Sequence, residues 1–241
     1  MAAAKPRAAF LLRSRNGTTS LLLHAILALS LSGCATVTPQ AWQPLFDGTR
    51  TRGWHNVGRD TIDPRWQAVD GTLTLTAAGG GDIVTDREFG DFELELEWRI
   101  SPGGNSGIFY RAGDADPVWK TAPEMQVLDD AAAEDRHDPK HRAGSVYDLY
   151  APTESAAKPA GEFNRVRIVA RGGRVEHWLN GVRVASYDLD SEDWKRRVAA
   201  SKFAAYPGFA ASRRGRIGLQ DHGDRVQFRN IRIRPLDASA L

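Results

Sequence analysis

Three short segments of the sequence carry the side chains best suited to proton transfer or to binding sugar hydroxyls. In the first segment, Glu124 and Gln126 are two residues apart, so on a β-strand they share one face while Met125 and Val127 share the other. A carboxylate beside an amide suits hydroxyl recognition or acid–base work. On another predicted strand, Arg111 shares a face with Gly107 and Phe109. If the two strands pair, Arg111 is within reach of Glu124 or of a substrate oxygen. The alternative is a solvated sheet face with a surface ion pair.

The second segment runs from residue 176 to residue 180 and contains a histidine beside a tryptophan. His177 shares a face with Val175 and Leu179, which favours a buried, hydrogen-bonded histidine. The same imidazole titrates near neutral pH and is therefore also a candidate acid or base. Trp178 lies on the opposite face, where it would stack on a sugar or fill a packing site.

The third segment follows a predicted strand at residues 216–219. Ile217 and Leu219 are expected to point inward, which places Gln220 and His222 together on the other face. Asp221 is next to His222 and could orient its imidazole, although adjacent strand residues point apart. The alternative is a turn closed by Asp221.

A polar stretch at residues 129–145 is expected to form a long loop, and long loops in compact domains often carry function. His137 and His141 are four residues apart, a spacing that chelates metals on a helix. Because Pro139 lies between them, no regular helix is expected and a solvated loop is favoured.

Several familiar catalytic signatures are missing from the sequence. It contains no Gly-x-Ser-x-Gly, phosphate loop, dinucleotide fingerprint or His-Glu-x-x-His motif. An ordinary glycosidase needs two facing acids, and Glu124 has no second acid on its own face because Asp129 falls on the opposite parity. A two-carboxylate mechanism therefore lacks support.

The elements that must position these residues are predicted to be β-strands. In residues 92–98, leucines alternate with glutamates, which indicates a strand with one wet face. Asn180-Gly181 predicts a hairpin turn, and a short helix is predicted over Asp190–Val198 with Ser191 as its N-cap. Further strands are predicted at residues 107–111, 124–128, 164–170, 174–179, 182–187, 216–219 and 226–233. Strands recurring about every ten residues predict an all-β, two-sheet jelly-roll sandwich.

The first part of the chain reads as an export signal. Four basic residues precede an apolar run at residues 21–31, which is too short to span a bilayer and has the length of a signal-peptide core. The run ends in Leu31-Ser-Gly-Cys34, which resembles the bacterial lipobox, and Cys34 is the single cysteine of the chain. We therefore expect lipidation at Cys34 and a location at the cell envelope, the alternative being an ordinary secretory signal.

Composition excludes other classes of protein. The 241 residues are 41% hydrophobic and 26% charged, as in ordinary globular proteins. The formal net charge of +2 comes from the basic residues of the export signal, and the rest of the chain is slightly acidic. No basic footprint for nucleic acid is present.

Taken in order, several motifs resemble the bacterial 3-keto-disaccharide hydrolase domain family, formerly a domain of unknown function. The resemblance covers roughly residues 43–236. One departure is Phe163, where the family more often has tryptophan. The motifs are Leu45-Phe-Asp-Gly-Thr49, Trp54, Asn105-Ser-Gly-Ile-Phe-Tyr-Arg111, Glu124-Met-Gln-Val-Leu-Asp129, Gly161-Glu-Phe-Asn164, His177-Trp-Leu-Asn-Gly181, Ser201-Lys-Phe203, Leu219-Gln-Asp-His-Gly223 and Phe228-Arg-Asn-Ile231.

The resemblance implies a concanavalin A-like jelly roll of the lectin and glucanase type, with a saccharide groove. It also implies cleavage of glycosides already oxidised at C3, by removal of the C2 proton, elimination at C1 and addition of water. Glu124, His177 and His222 are then the candidate catalytic residues, with Arg111 and Lys202 as candidate enolate stabilisers. The expected substrate-binding residues are Arg111, Gln126, Asn105, Tyr147, Trp178, Lys202 and Gln220.

The expected organisation is a signal peptide at 1–33, a linker at 34–44, one domain at 45–236 and a tail at 237–241. The expected partners are a C3-oxidised glycoside or oligosaccharide, the oxidoreductase that makes it, and a membrane reached through Cys34. A divalent metal ion acting as a Lewis acid is a candidate cofactor. The alternatives are a conventional glycoside hydrolase and a non-catalytic carbohydrate-binding module. The module would use Trp119, Trp178, Tyr147 and Tyr150 as platforms.

Overall fold

The structure is a computed structural model that describes residues 40–113 and 115–236. The predicted signal peptide, Cys34 and the tail at 237–241 lie outside the described residues. The strands are β1 (Gln43–Pro44), β2 (Trp54–Asn56), β3 (Trp66–Val69), β4 (Thr72–Leu75), β5 (Ile83–Thr85), β6 (Phe92–Ile100), β7 (Asn105–Ala112), β8 (Glu124–Leu128), β9 (Asn164–Arg171), β10 (Arg174–Leu179), β11 (Val182–Asp188), β12 (Arg216–Leu219) and β13 (Val226–Pro235), and the α-helix is α1 (Glu192–Ala199).

The strands form two antiparallel sheets that face each other across one core. The larger sheet has eight strands in the order β11-β10-β9-β6-β13-β4-β3, with β1 paired to β13. The smaller sheet has five strands in the order β2-β5-β12-β7-β8. The predicted all-β jelly-roll sandwich is confirmed.

The alternation of apolar and polar residues along the strands places the apolar side chains in this core, as the sequence predicts. Leu94 and Leu96 of β6 point inward from the larger sheet, and Met125 and Val127 of β8 point inward from the smaller one; all four side chains are essentially inaccessible to solvent. Three predicted strands match β8, β10 and β12 residue for residue. Glu124 and Gln126 consequently face outward from the smaller sheet.

One expectation about β6 is wrong. The glutamate face of this strand was expected to be wet, but Glu93 and Glu95 are 4% and 9% exposed. Arginines from β9 and β13 lie over both carboxylates, with Arg165 and Arg232 binding Glu95. Because pairing partners supply the cover, the alternation within β6 could not reveal it.

Local turn and cap chemistry matches the sequence. Asn180 and Gly181 both have positive φ, as the hairpin between β10 and β11 requires. The Ser191 hydroxyl accepts a hydrogen bond from the Trp194 amide and caps α1. In the part of the chain that the structure describes, no helix is long and apolar enough to cross a bilayer.

Candidate active site

A cavity of about 110 Å³ opens on the outer face of the smaller sheet, near the start of β7. It collects residues from β7, β8 and four connecting segments that are distant in sequence. All of its lining residues but Trp119 were expected to be catalytic or substrate-binding, and Trp119 was expected as a sugar platform in the binding-module alternative. The lining residues are Asn105, Trp119, Glu124, Gln126, Tyr147, Lys202, Gln220 and His222.

Strand pairing places the Glu124 carboxyl at the floor of this cavity. In the antiparallel β7–β8 pair, Gly107 is opposite Gln126 and Phe109 is opposite Glu124. The Glu124 side chain lies across Gly107, because a Cβ added at Gly107 would stand 2.1 Å from Glu124 Oε1. Only glycine at position 107 allows the carboxyl to occupy this place.

The Glu124 carboxyl is buried without a hydrogen-bond partner among the described residues. It is 6% exposed, and burial raises the pKa of this group to about 8. The charge of Lys202 opposes this rise, whereas the charges of Asp82 and Asp135 add to it. A carboxyl held in this way is protonated at neutral pH and is an unusually strong base once ionised.

Amide groups with unused hydrogen-bonding capacity surround the carboxyl. The side-chain oxygens of Asn105, Gln126 and Gln220 and the side-chain nitrogen of Gln126 are buried and lack partners. Each unsatisfied buried polar atom costs about 1–3 kcal/mol, and such atoms are rare in folded proteins. Their concentration in one cavity indicates a site arranged for a ligand with several donors and acceptors.

Lys202 provides a positive charge at the rim of the cavity. It begins a short 3-10 helix at residues 202–205, which the Ser201 hydroxyl caps by accepting from the Phe203 amide. The ammonium lies 4.4 Å from the centre of the Tyr147 ring and 4.8 Å from that of Trp119. Within the described residues, no carboxylate lies within ion-pair distance of this ammonium, and its charge lowers the pKa of Glu124.

A network of hydrogen bonds fixes the segment that carries Gln220 and His222. The backbone amide of Gln220 donates to the Gly107 carbonyl at 3.0 Å, and the Ser106 hydroxyl donates to the backbone carbonyl of Gln220 at 2.8 Å. The carboxylate of Asp221 accepts from the amides of Gly81 and Gly223, each at 2.8 Å. Asp221 therefore closes a turn, as the alternative reading held, and His222 stands exposed at the rim.

His177 does not reach this cavity, and its predicted catalytic role is not supported. Its side chain is fully buried in the core, where Nδ1–H donates to the Gly144 carbonyl at 3.1 Å and Nε2 accepts from the Tyr110 hydroxyl at 2.8 Å. Burial lowers the pKa of His177 to about 4, so the ring is neutral. His177 is therefore the buried, hydrogen-bonded histidine that its position in the apolar alternation favoured.

Arg111 is also absent from the cavity. Its backbone has a φ of 54°, and the register between β7 and β12 shifts beside it, so its side chain leaves the predicted face. The guanidinium is buried and donates to Asp91 and to the carbonyl of Gly172. These bonds link the segment at Asp91 to the turn at Gly172, and Arg111 does not contact Glu124.

Trp178 lies on the outer face of the larger sheet, away from the cavity. Its ring is half-buried beneath the Arg167 guanidinium, 5.2 Å from the ring centre, and its indole nitrogen donates to Glu176. The tryptophan fills a packing site between charged side chains. The structure does not bring Trp178 to the cavity that contains Glu124.

The polar loop supports one wall of the cavity. His141 stacks on the Tyr147 ring at 4.5 Å, and both side chains bind Asp135. His141 thus holds Tyr147 in place. Among the residues that the structure describes, no three His, Cys, Asp or Glu side chains gather as a metal site.

Asp82 is a residue that the sequence reasoning missed. It accepts a hydrogen bond from the Asp221 amide at 3.0 Å, and burial raises the pKa of its carboxyl to about 6. It lines a separate cavity of about 100 Å³ together with Gly79, Gly80 and Gly81. No spacing in the sequence relates Asp82 to Glu124, whose pKa the charge of Asp82 raises through space.

Comparison with known proteins shows the family of the chain. Residues 41–234 match the 3-keto-alpha-glucoside-1,2-lyase-like domain. A 3-keto-disaccharide hydrolase from Bacteroides thetaiotaomicron is 36% identical over 225 residues, covering 80% of this chain and 78% of that protein. Two crystal structures from Parabacteroides distasonis, each proposed to be a glycosyl hydrolase, are also similar. One has 32% identity and a TM-score of 0.77, covering 81% of this chain and 94% of that chain. The other has 29% identity and a TM-score of 0.64, covering 82% and 100%.

Proposed function

The chain belongs to the 3-keto-alpha-glucoside-1,2-lyase-like domain family, and we propose that it cleaves the glycosidic bond of 3-keto-glycosides. The observation that carries this proposal is the Glu124 carboxyl, which is buried, free of hydrogen bonds among the described residues and raised in pKa to about 8. Such a group is matched to the removal of a weakly acidic proton. The unpaired amides around it suit the hydroxyl groups of a sugar ring.

The proposed chemistry uses the ketone to make the C1 substituent a leaving group. A base removes the C2 proton, and the electron pair forms an enolate between C2 and C3. The enolate collapses to restore the ketone, a double bond forms between C1 and C2, and the C1–O bond breaks. Water then adds to C1 while C2 regains a proton, so that the net reaction is hydrolysis.

The cavity supplies candidates for each requirement of this route. Glu124 is the proposed base. Lys202, which lines the cavity with its ammonium over the Tyr147 ring, is the proposed partner for the enolate oxygen. His222 at the rim is the proposed acid for the departing oxygen, and Asn105, Gln126 and Gln220 are the proposed hydroxyl-binding groups. The scheme needs no second carboxylate facing Glu124.

The proposed base has a defined pH dependence. Glu124 removes a proton only when it is ionised, and its pKa in the free protein is about 8. We therefore expect ionisation of Glu124 to appear as a rise in kcat/KM with pH through about 8, and Glu124→Gln to remove that rise. A fall in kcat/KM across that pH range that Glu124→Gln abolishes would identify Glu124 as an acid instead.

The deciding experiment compares a nitrophenyl 3-keto-glucoside with the unoxidised nitrophenyl glucoside, each with and without a chelator. Cleavage of the keto sugar alone supports the proposal, and loss of that activity with chelator adds a metal requirement. Cleavage of the plain glucoside indicates ordinary glycosidase chemistry. Glycan binding without cleavage of either compound favours a carbohydrate-binding module.

The cellular setting is part of the proposal. The lipobox-like sequence ending at Cys34 supports a lipid-anchored protein of the cell envelope. Because the substrate must carry a C3 ketone, an oxidoreductase acting on the same glycosides must precede this protein. Labelling with a radioactive fatty acid tests the anchor, since Cys34→Ser is expected to remove the label.

A further inference from the structure

We propose that the outer face of the larger sheet docks on an anionic lipid surface, with the candidate active site turned toward the aqueous phase. This face, called the arginine face below, is built from the outward residues of β6, β9 and β13 together with Trp42. Its cationic residues include Arg165, Arg167, Arg229, Arg232 and Arg234.

The arginine face presents cations to solvent although it also contains carboxylates. The Glu93 and Glu95 side chains are only 6% and 12% exposed, because arginines from the flanking strands cover them. The side chains of Arg165 and Arg232, which both bind Glu95, are 62% and 46% exposed. Arg167 and Arg234 share Glu93 in the same way.

This arrangement leaves excess positive charge at the surface. Glu93 and Glu95 each neutralise only one of the two guanidinium groups that they bind, so each leaves one net positive charge, whereas Glu97 balances Arg229. A cavity of about 490 Å³ opens between Arg165 and Arg232, with Glu95 at its base. A guanidinium group carries five N–H donors, and those that the glutamates leave unused can donate to phosphate oxygens, so the surface complements phospholipid headgroups.

Aromatic rings beneath the guanidinium groups add a second feature typical of membrane interfaces. The half-buried Trp42 ring lies 4.6 Å from the Arg232 guanidinium and 4.8 Å from that of Arg234. Phe163 lies beneath Arg229 in the same manner, at 3.6 Å. Amphipathic aromatic side chains are enriched at the level of lipid headgroups.

The entry of the chain into the domain favours a membrane over other polyanions. Strand β1 pairs with β13 on the arginine face, with Pro44 opposite Arg232. Trp42 immediately precedes β1, and Cys34 stands eight residues before Trp42 in the sequence. A lipid on Cys34 would therefore tether the domain through this strand, and a basic surface strengthens binding by such a lipid.

This docking leaves the candidate active site accessible. Glu124 and its cavity lie on the outer face of the smaller sheet, whereas the arginine face belongs to the other sheet. Because the two sheets pack through their inner faces, the two outer faces point in opposite directions.

The test is sedimentation of the processed chain, from residue 34 onward and carrying Cys34→Ser, so that the basic export signal is absent, with vesicles of phosphatidylcholine alone or mixed with phosphatidylglycerol. We expect binding to the mixed vesicles only, weakening as salt is raised. The double variant Arg165→Gln, Arg234→Gln removes two cations but leaves Glu93 with Arg167 and Glu95 with Arg232. Since each basic residue near an anionic surface contributes about fivefold, its partitioning is expected to fall about thirtyfold.

The matched control is Lys195→Gln, Arg196→Gln, which removes two exposed cations from α1. Equal binding to neutral and anionic vesicles, or an equal loss in the control, would overturn the proposal. So would binding of an acidic polysaccharide without binding of vesicles. If the double variant does not fold, the salt dependence of the parent chain decides. Turnover of the keto-glucoside is measured separately, so failure of the proposed function leaves this result readable.

Discussion

The outer faces of the two sheets carry similar polar residues but pair them in opposite ways. On the larger sheet, Glu93 and Glu95 are each bound by two arginines. On the smaller sheet, the Glu124 carboxyl and the Gln126 amide have no hydrogen-bond partners among the described residues. Both faces bury carboxylates, but the Glu124 carboxyl on the smaller sheet is the one left without a partner among the described residues.

The difference separates a structural surface from a site prepared for a ligand. Paired arginines counteract the effect of burial on the larger sheet, and the pKa of Glu95 is lowered although burial alone would raise it. On the smaller sheet, burial dominates and the pKa of Glu124 rises to about 8. Functional sites commonly retain unfavourable groups of this kind at a cost in stability.

The largest expected effect on activity comes from removing the acid–base group, Glu124, on the outer face of the smaller sheet. Glu124→Gln keeps the shape of the side chain but cannot transfer a proton. We expect kcat to fall by at least about 10²-fold on a 3-keto-glucoside. Glu97→Gln on the larger sheet is the matched control and should leave kcat unchanged. Full activity of Glu124→Gln would remove Glu124 from the mechanism.

The next effect tests the position of the carboxyl without changing its chemistry. In Gly107→Ala, the added methyl would collide with Glu124 Oε1 and push the carboxyl from its place. We expect a loss of roughly 10²-fold in kcat/KM, as for a displacement of about 1 Å in other active sites. Gly90→Ala is the control, because a Cβ there meets nothing within 4 Å. Equal activities of the two variants would contradict the proposed role of Gly107.

A third effect concerns stability and pH. The folded-state pKa of Glu124, about 8, lies above its ordinary value of 4.5. Its contribution to stability is therefore fully present below pH 4.5 and is lost as pH rises through 8. Glu124→Gln should raise Tm by several degrees at pH 8.5 and much less at pH 5. A Tm difference that does not change between these two pH values would show that the carboxyl is not buried as described.

The smallest effect, on the free energy of unfolding, is expected for a substitution on the outer face of the larger sheet. Arg232→Gln removes one of the two arginines on Glu95, and Arg165 remains. Because partly exposed ion pairs contribute little, the free energy of unfolding should fall by no more than about 1 kcal/mol, with activity unchanged. Urea denaturation measures this change. A loss of several kcal/mol would mean that the two faces differ less than their pairing suggests.

Much of the fold could be read from the sequence because its signals are local. Alternation with a period of two fixed which residues of β8 and β10 face the core, and Asn180-Gly181 fixed the turn after β10. The family motifs placed Glu124 and His222 in the same site. The alternation and the turn depend on residues close together in the chain, whereas the association of Glu124 with the distant His222 rested on the resemblance to the family.

Other features depend on strands that pair across long stretches of sequence. The alternation in β10 allowed either a core histidine or a catalytic one at His177, and only packing against Tyr110 settled the choice. A bulge opposite β12 turned Arg111 away from the site. Arginines of β9 and β13 covered Glu93, which β6 alone would have left in water.

The sequence by itself therefore determined which face of each strand is polar. The tertiary structure decided what that polar face meets. Strand β7 pairs with β8 nearby in the chain and with β12 about a hundred residues later. Glu124 has an unusual pKa because these pairings enclose it without giving it a partner, and no local pattern encodes that enclosure. Burial and charge are properties of neighbours in space, whereas alternation is a property of neighbours in sequence.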